Sequence, residues 1–499
     1  MKRHWIVADA ADSVAVALSA LASGEVVGGT TLREAIPAGH KFALRPIAKG
    51  AHVIKLGHAI GVAAADIMAG AHVHEHSLAF AGGANRQAIG TDIRHPPQRE
   101  AFFEGYVRAD GRVGTRNFIG ILTSVNCSAT VAKRIAAHFT PDRLAAFPNV
   151  DGVIAFSHMS GCGMTKSGRG IDNLRRTIAG YASHPNFAAV LIVGLGCEVN
   201  QIDPLLASAN LVASDRLQTL GIQDAGGTIS ATNAGIAIIE AMLPTANACR
   251  RQPVSAAHLT IGLQCGASDG YSALTANPAL GVAVDRLIGA GGRAILSETP
   301  EIYGAENLLL RRAATAAIAD KLIERLNWWQ NYAASDGASL DNNPSPGNKL
   351  GGITTILEKS LGAVAKSGSS PLNAVIDYAE QVSAPGLTFM DSPGYDPCSA
   401  TGQIAGGAHL ILFTTGRGSV FGSIPAPTLK LASNAALAKS MADDIDIDCS
   451  SILDGVKLEE IGARVFDLIL RTASGLKTAS ENLDIGENEW VPWVPGATF

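Results

Sequence analysis

The sequence predicts an α/β protein whose parallel sheets are covered by helices, with a separate all-β module at the N-terminus. Two stretches of strand–loop–helix alternation and one repeated turn phrase lead to this reading. The first stretch begins near residue 103. Phe118–Leu122, Val153–Phe156 and Ala189–Val193 are apolar runs of strand length, each followed by a polar loop, and Ala129–Phe139 and Asn173–Tyr181 fit helices between them. Such alternation needs crossover connections, which give a parallel sheet with helices on its faces. The pattern resumes after a polar dip at Ala246–Pro253. Leu259–Leu263, Arg293–Leu296, Gly386–Met390 and His409–Phe413 read as strands there, with helices such as Leu308–Tyr332 between them. The first 78 residues differ. Ile36-Pro37-Ala38-Gly39-His40, Ile47-Ala48-Lys49-Gly50-Ala51-His52 and Ile67-Met68-Ala69-Gly70-Ala71-His72 each set a turn glycine three residues after an isoleucine. Val53–Leu56 then alternates. Short strands between turns make a compact β module. The expected organisation is a β module over 1–78, a polar Pro-containing linker over 79–102, and α/β domains over 103–250 and 251–499. Residues 338–352 form a long Asn/Pro/Gly loop, of a kind more often functional than idle.

Composition narrows the function. A chain of 499 residues is too long for one small core, which supports several domains. Its net charge of −5 offers no basic footprint for nucleic acid and no polybasic patch for a membrane. The apolar run Phe187–Val193 is far short of a membrane span and reads as a buried strand. Asp9 and Asp12 interrupt any signal-peptide core, so a cytoplasmic location is expected. Seven cysteines in so long a chain do not suit a disulfide framework.

The cysteines nevertheless have a pattern. Cys127, Cys162 and Cys197 each follow a predicted strand of one domain, and Cys265 follows Leu259–Leu263 in the next. Loops at the carboxyl ends of parallel strands converge on the ligand crevice, and three thiols there would suit a soft metal or an iron–sulfur centre. Packing residues are the alternative. A second set is His72-Val73-His74-Glu75-His76. On a strand, residues two apart share a face, so the three imidazoles would project together as iron or zinc ligands, against the alternative of a solvated edge strand. Val193-Gly194-Leu195-Gly196 superficially opens a dinucleotide fingerprint, but Asn200 and Gln201 occupy the region where the third glycine belongs. No nucleotide cofactor is expected. Gly416-Arg417-Gly418 follows a strand and could hold an anion, a carboxylate at least as well as a phosphate. The rigid segment Asn343–Lys349 reads as a capped loop or as a substrate clamp.

Taken together, these segments resemble the altronate/galactarate dehydratases over nearly the whole chain. The resemblance is carried by Gly111–Asn117, Gly194-Leu195-Gly196-Cys197-Glu198, Cys265-Gly266-Ala267-Ser268-Asp269-Gly270, Asn343–Gly352 and Thr415-Gly416-Arg417-Gly418. The N-terminal module is similar to the SAF domain, a β-clip fold, and Gly39-His40-Lys41 matches a segment of it. The tract from Gly70 to His76 resembles the altronate branch, although Ser77 stands where that branch carries Asn. Ser124-Val125-Asn126-Cys127 leans to the galactarate type.

The resemblance implies an iron-dependent hydro-lyase that takes water from a C6 aldonate or aldarate and leaves a 2-keto-3-deoxy acid. Ferrous iron, mononuclear or in a cluster, would be held by Cys127, Cys162, Cys197, His72, His74 and His76, with Glu198 as carboxylate support. His40 is the expected base, ahead of Lys41, and this requires the β module to fold over the α/β crevice. Arg417, Lys349 and Lys41 are candidates for the substrate carboxylate. Asn348, Ser268 and Asp269 are candidates for other polar contacts to the sugar acid. A small-molecule sugar acid is the only partner implied, and a homo-oligomer is compatible with the sequence. The competing readings are a lyase of the same family with another leaving group and a non-catalytic sugar-acid-binding protein.

Overall fold

Turn glycines keep the strands of the N-terminal module short. Gly39, Gly50 and Gly70 have φ of +81°, +80° and +79°, a left-handed conformation open to glycine without steric cost. Ile36, Ile47 and Ile67, three residues earlier, are all buried, so each repeated phrase is an apolar anchor followed by a reversal. The computed structural model describes residues 3–81 and 88–499; residues 82–87 of the predicted linker lie outside the described residues. The module contains an antiparallel sheet in the order Trp5–Ile6, Val14–Ala17, Lys41–Ala43, His72–Val73, and a second in the order His52–Lys55, His58–Ala63, Leu78–Ala79. This is the small-stranded all-β module expected. Residues 88–101 then run along the C-terminal domain, where Gly90 and Asp92 donate backbone hydrogen bonds to Leu310 and Arg311.

Both α/β domains have the predicted parallel sheets. The first sheet runs Gly152–Phe156, Phe118–Thr123, Phe187–Gly194, Leu217–Gly221. The second has seven strands in the order Leu372–Ile376, Gly386–Met390, Arg293–Leu296, Thr260–Gly266, Leu410–Thr415, Thr428–Ala432, Ile447–Asp448. In each, the strand that comes first in the chain lies inside the sheet and later strands add on both sides. That arrangement creates a topological switch point at the carboxyl edge. The two domains share a core, in which Phe156, Tyr181 and Phe187 of one pack with Trp490, Tyr378 and Phe413 of the other.

Two local expectations change. The polar dip at Ala246–Pro253 contains the end of helix Thr228–Ala248 and most of the strand Arg251–Ser255. That strand pairs antiparallel with Phe102–Val107 across the domain boundary. Pro253 is tolerated because the strand is an edge strand, where one side needs no N–H donor. The helix expected over Leu308–Tyr332 is broken into Glu306–Leu310 and Ala316–Ser335. The break arises because Ala313 bridges to Leu372 and the Thr315 hydroxyl caps a new helix by accepting from Ile318 N.

The β module docks on the C-terminal domain through buried charge. Lys41 Nζ lies 2.9 Å and Lys55 Nζ 2.7 Å from Glu358, whose helix is Ile356–Ala365. Lys41 also donates to Gly352 O at 2.6 Å. Thr354 N and Oγ1 complete the carboxylate shell. Burial alone raises the Glu358 carboxyl, but the two ammoniums outweigh it and hold the group well below the ordinary carboxylate range. Burial brings Lys41 down to about 8, so it remains charged at neutral pH. Removing one partner of such a cluster leaves the others buried and unpaired. Glu358→Gln should therefore cost about 3–5 kcal/mol of unfolding free energy, measured by denaturant unfolding. Because the folded-state pKa lies below the unfolded value of 4.5, the wild-type contribution is complete above that pH and is lost as pH falls further. An unchanged unfolding midpoint in Glu358→Gln would mean that docking does not depend on this cluster.

Candidate active site

The carboxyl ends of Thr260–Gly266 and Leu410–Thr415 meet at the switch point of the seven-stranded sheet, and most of the predicted substrate-binding residues lie there. Asp269 organises the place. Its Oδ1 accepts from Tyr271 N, Ser272 N, Ser272 Oγ and Ser433 Oγ, and its Oδ2 accepts from Asn434 Nδ2 at 2.9 Å. Ala267 O takes hydrogen bonds from Gly416 N and Arg417 N, which ties the two strand ends together. A Cβ on Gly416 would stand 2.2 Å from Asp269 Cγ, so glycine is required there. Asp269 is thus saturated by protein donors and shapes the loop rather than reaching outward.

The segment Asn343–Gly352 closes on this edge. Asn348 forms a capping box with Ser345 at the start of helix Pro346–Leu350, and its Nδ2 donates to Ser268 O at 2.9 Å. Both ends of its amide are therefore occupied. Lys349 Nζ pairs with Glu75 Oε1 at 2.5 Å, across to the β module. Arg417 is different. It is exposed, a Cβ on Gly347 would stand 3.8 Å from its Nε, and among the described residues no hydrogen bond engages its guanidinium.

The β module delivers its histidines to the same segment. A carbonyl can only accept, so His40 Nε2 donates to Leu350 O at 3.1 Å and His74 Nε2 donates to Lys349 O at 2.9 Å. In neutral His40, Nδ1 is then an acceptor, and it faces His72 Nε2 at 3.0 Å. The rings of His40, His72 and His74 lie 4.9–5.5 Å apart, and His76 lies 5.4 Å from His72. The expected strand is shorter than the tract: pairing stops at Val73, and Ser77 N bonds back to His74 O in a turn. The imidazoles gather because the turn folds them over His40, not because they alternate along a ladder. Burial, reinforced by the neighbouring His40 and His74, lowers His72 to about 3; burial also lowers His40 and His74. Burial thus favours the neutral form of His40, His72 and His74, the form that ligates metals. Lys41, the alternative base, has its ammonium enclosed by Glu358 and Gly352 O and serves the docking contact.

The close approach of these pieces depends on glycine. A Cβ on Gly270 would fall 2.0 Å from Gly39 O, and one on Gly352 2.2 Å from the same oxygen. Three segments meet there backbone to backbone.

The second predicted set lies on the other sheet. Cys127, Cys162 and Cys197 stand after Phe118–Thr123, Gly152–Phe156 and Phe187–Gly194, as the strand-end pattern implies, and all three are exposed. A cavity of about 570 Å³ opens beside Cys162 and is lined by Lys133, His158 and Trp490. Glu198 is buried at this edge. Its Oε1 accepts from Ser124 Oγ at 2.6 Å and its Oε2 from Gly196 N at 2.6 Å. Burial raises its carboxyl, but the Ser124 hydroxyl and the loop N–H groups together bring it below the ordinary value. Glu198 clamps its own loop to the neighbouring strand end.

Neither predicted metal set brings three ligand atoms within 4.8 Å of one another. Among the described residues, the one group that does is Cys265, Glu298 and Glu301. Glu298 follows the strand Arg293–Leu296 closely, so the rule that singled out the cysteines extends to it. Its burial beside other acids and a lysine could not be read from the chain, because Cys265, Lys366 and Asp396 come from distant segments. Burial, then the charge of Glu301, pushes the Glu298 carboxyl well up, and the same two causes raise Asp396 to about 7. Burial pushes the Cys265 thiol up to about 11.

Comparison with known proteins accounts for all three parts of the chain. Residues 3–81 match the altronate/galactarate dehydratase SAF domain, 105–247 the second domain of D-galactarate dehydratase/altronate hydrolase, and 256–498 the C-terminal domain of D-galactarate/altronate dehydratase. An altronate dehydratase of Escherichia coli strain K12 is 38% identical over 97% of this chain and 98% of its own. A galactarate dehydratase (L-threo-forming) from the same organism is 36% identical over 90% of this chain and 88% of its own. The (2R)-sulfolactate sulfo-lyase subunit beta of Chromohalobacter salexigens is 31% identical over 78% of this chain and 96% of its own. With 97% of its length matched in sequence to one relative and three family models matched in order, the chain belongs to the altronate/galactarate dehydratase family.

Proposed function

We propose that this chain is a hydro-lyase that removes water from a C6 sugar acid of the altronate type and leaves a 2-keto-3-deoxy acid. The observation that carries the reading is the meeting of neutral histidines with the Arg417 loop and the 345–352 segment at one strand-end crevice. The nearly complete coverage of the altronate dehydratase relative supports the substrate class. Galactarate is the alternative, favoured by the Ser124–Cys127 segment, and the sulfo-lyase relative adds a reading with another leaving group.

The chemistry sets the residues' tasks. A proton beside a carboxylate is weakly acidic, and removing it builds charge on that carboxylate. Arg417, exposed and with no hydrogen bond to its guanidinium among the described residues, is assigned to hold it. His40 is assigned as the base: its Nε2 is fixed on Leu350 O, so Nδ1 is the accepting atom, and the substrate must replace His72 there. Asp269 keeps the Arg417 loop in place, and Asn348 keeps the capping helix under the histidines. Ferrous iron fits the donor chemistry of His72, His74 and His76, since His74 is oriented by a carbonyl through one nitrogen and retains the other. When bound it supplies Lewis acidity toward the departing hydroxyl. Cys127, Cys162 and Cys197 are the alternative holders, with a thiolate-bound cluster as the expected form.

The direct test is anaerobic incubation with Fe²⁺ and a panel of aldonates, aldarates and 2-sulfonated acids, assayed for 2-keto-3-deoxy acid or released sulfite. Turnover of altronate above all others is expected. Binding without turnover of any compound would favour a sugar-acid-binding protein. Chelation should abolish turnover and Fe²⁺ restore it, and His72→Ala with His74→Ala should lower bound iron. Unchanged iron in that variant, with loss of visible cluster absorption on replacing the three cysteines, would move the metal to the cysteine edge.

Arg417→Lys keeps the charge and loses the bidentate fork. The expected loss is about 2–4 kcal/mol of transition-state stabilisation, or roughly 30- to 1000-fold in kcat/KM, with kcat falling as well. Wild-type kinetics in this variant would assign the carboxylate to another cation.

A further inference from the structure

We propose that Cys265, Glu298 and Glu301 form a binding site for a divalent transition metal, separate from the histidines and from the exposed cysteines. The thiol and the two carboxylates present ligand atoms within 4.8 Å of one another, and all three residues are buried. One sulfur and two carboxylate oxygens are a donor set for zinc, iron or cobalt, whereas magnesium and calcium prefer oxygen alone.

Two further features point to a bound cation. Glu298 is 1% exposed, yet among the described residues its Oε1 has no hydrogen-bond partner. Lys366 Nζ occupies only its other oxygen, at 3.3 Å, and lies 3.1 Å from Cys265 Sγ. Lys359 Nζ likewise takes one oxygen of Glu301, at 2.8 Å, and Glu301 Oε2 stands 3.9 Å from the thiol. Lys366 therefore holds one edge of the Glu298 carboxylate and leaves the other open, while the second oxygen of Glu301 faces the thiol. A buried, unpartnered carboxylate oxygen is costly unless something occupies it.

The second feature is charge balance. Glu298, Glu301 and Asp396 act on one another, and Lys359 and Lys366 are the cations facing them. Burial opposes the ionised thiol and the ionised Glu298 carboxylate, and a divalent cation held between them would offset that cost. This inference does not depend on the dehydratase reading, because it uses none of the residues assigned to substrate or proton transfer.

The test uses the full-length protein, expressed in cobalt-supplemented medium with Cys127, Cys162 and Cys197 all replaced by Ser. A near-ultraviolet thiolate-to-cobalt absorption band and retained cobalt are expected in this background. Adding Cys265→Ser should remove the band. Glu298→Gln, which keeps the shape and removes the charge, should lower retained cobalt by at least about tenfold. Circular-dichroism melting identifies any variant that fails to fold, in which case the other one decides. Absence of the band in the triple variant, or its survival in the variants that fold, would overturn the assignment.

Discussion

Glu358 and the two lysines that reach it hold the candidate active site together. Lys41 and Lys55 come from strands of the β module, and Glu358 from a helix of the C-terminal domain, so the cluster spans the boundary between them. Buried ion pairs add little when measured against apolar replacements, but they are demanding about geometry. Here that demand is useful. His40 precedes Lys41 in sequence, and His72 pairs with Phe42 in the adjoining strand. Once Lys41 is seated, the histidines have no choice but to face the 349–350 carbonyls.

The same contact explains why glycines crowd the boundary. An ion pair with distances near 2.7–2.9 Å brings the two backbones close, and side chains at Gly39, Gly270 and Gly352 would stand in the way. The β module is thus a structural part of the crevice: its docking sets the wall that carries the imidazoles, while the seven-stranded sheet sets the wall that carries Arg417.

The carboxyl edges of the two sheets carry different chemistry. One offers exposed thiols around a carboxylate clamped in its own loop. The other offers clustered imidazoles and an exposed guanidinium at the same strand ends as a deeply buried acid–thiol–lysine cluster. In both, the rule is that strand ends deliver functional side chains to a crevice. The difference lies in burial. At the second sheet a whole extra module covers part of the edge, so the charged groups it buries, Lys41, Lys55 and Glu358, must find partners within the protein.

Much of this was legible in the chain. The parallel sheets follow from apolar runs alternating with helical stretches, since a crossover is the only way to connect neighbouring parallel strands. The β module follows from glycines spaced after isoleucines, and the strand-end cysteines follow from counting. These properties depend on neighbours in sequence. The tertiary structure decided what depends on distant ones. It turned Lys41 into a docking group and satisfied Asp269, Asn348 and Glu198 within the protein. It left Arg417 exposed and brought Glu298 to Cys265. A side chain's type limits what it can bond, but whether its bonds are used up depends on partners tens or hundreds of residues away. Only folding brings those partners within hydrogen-bond range.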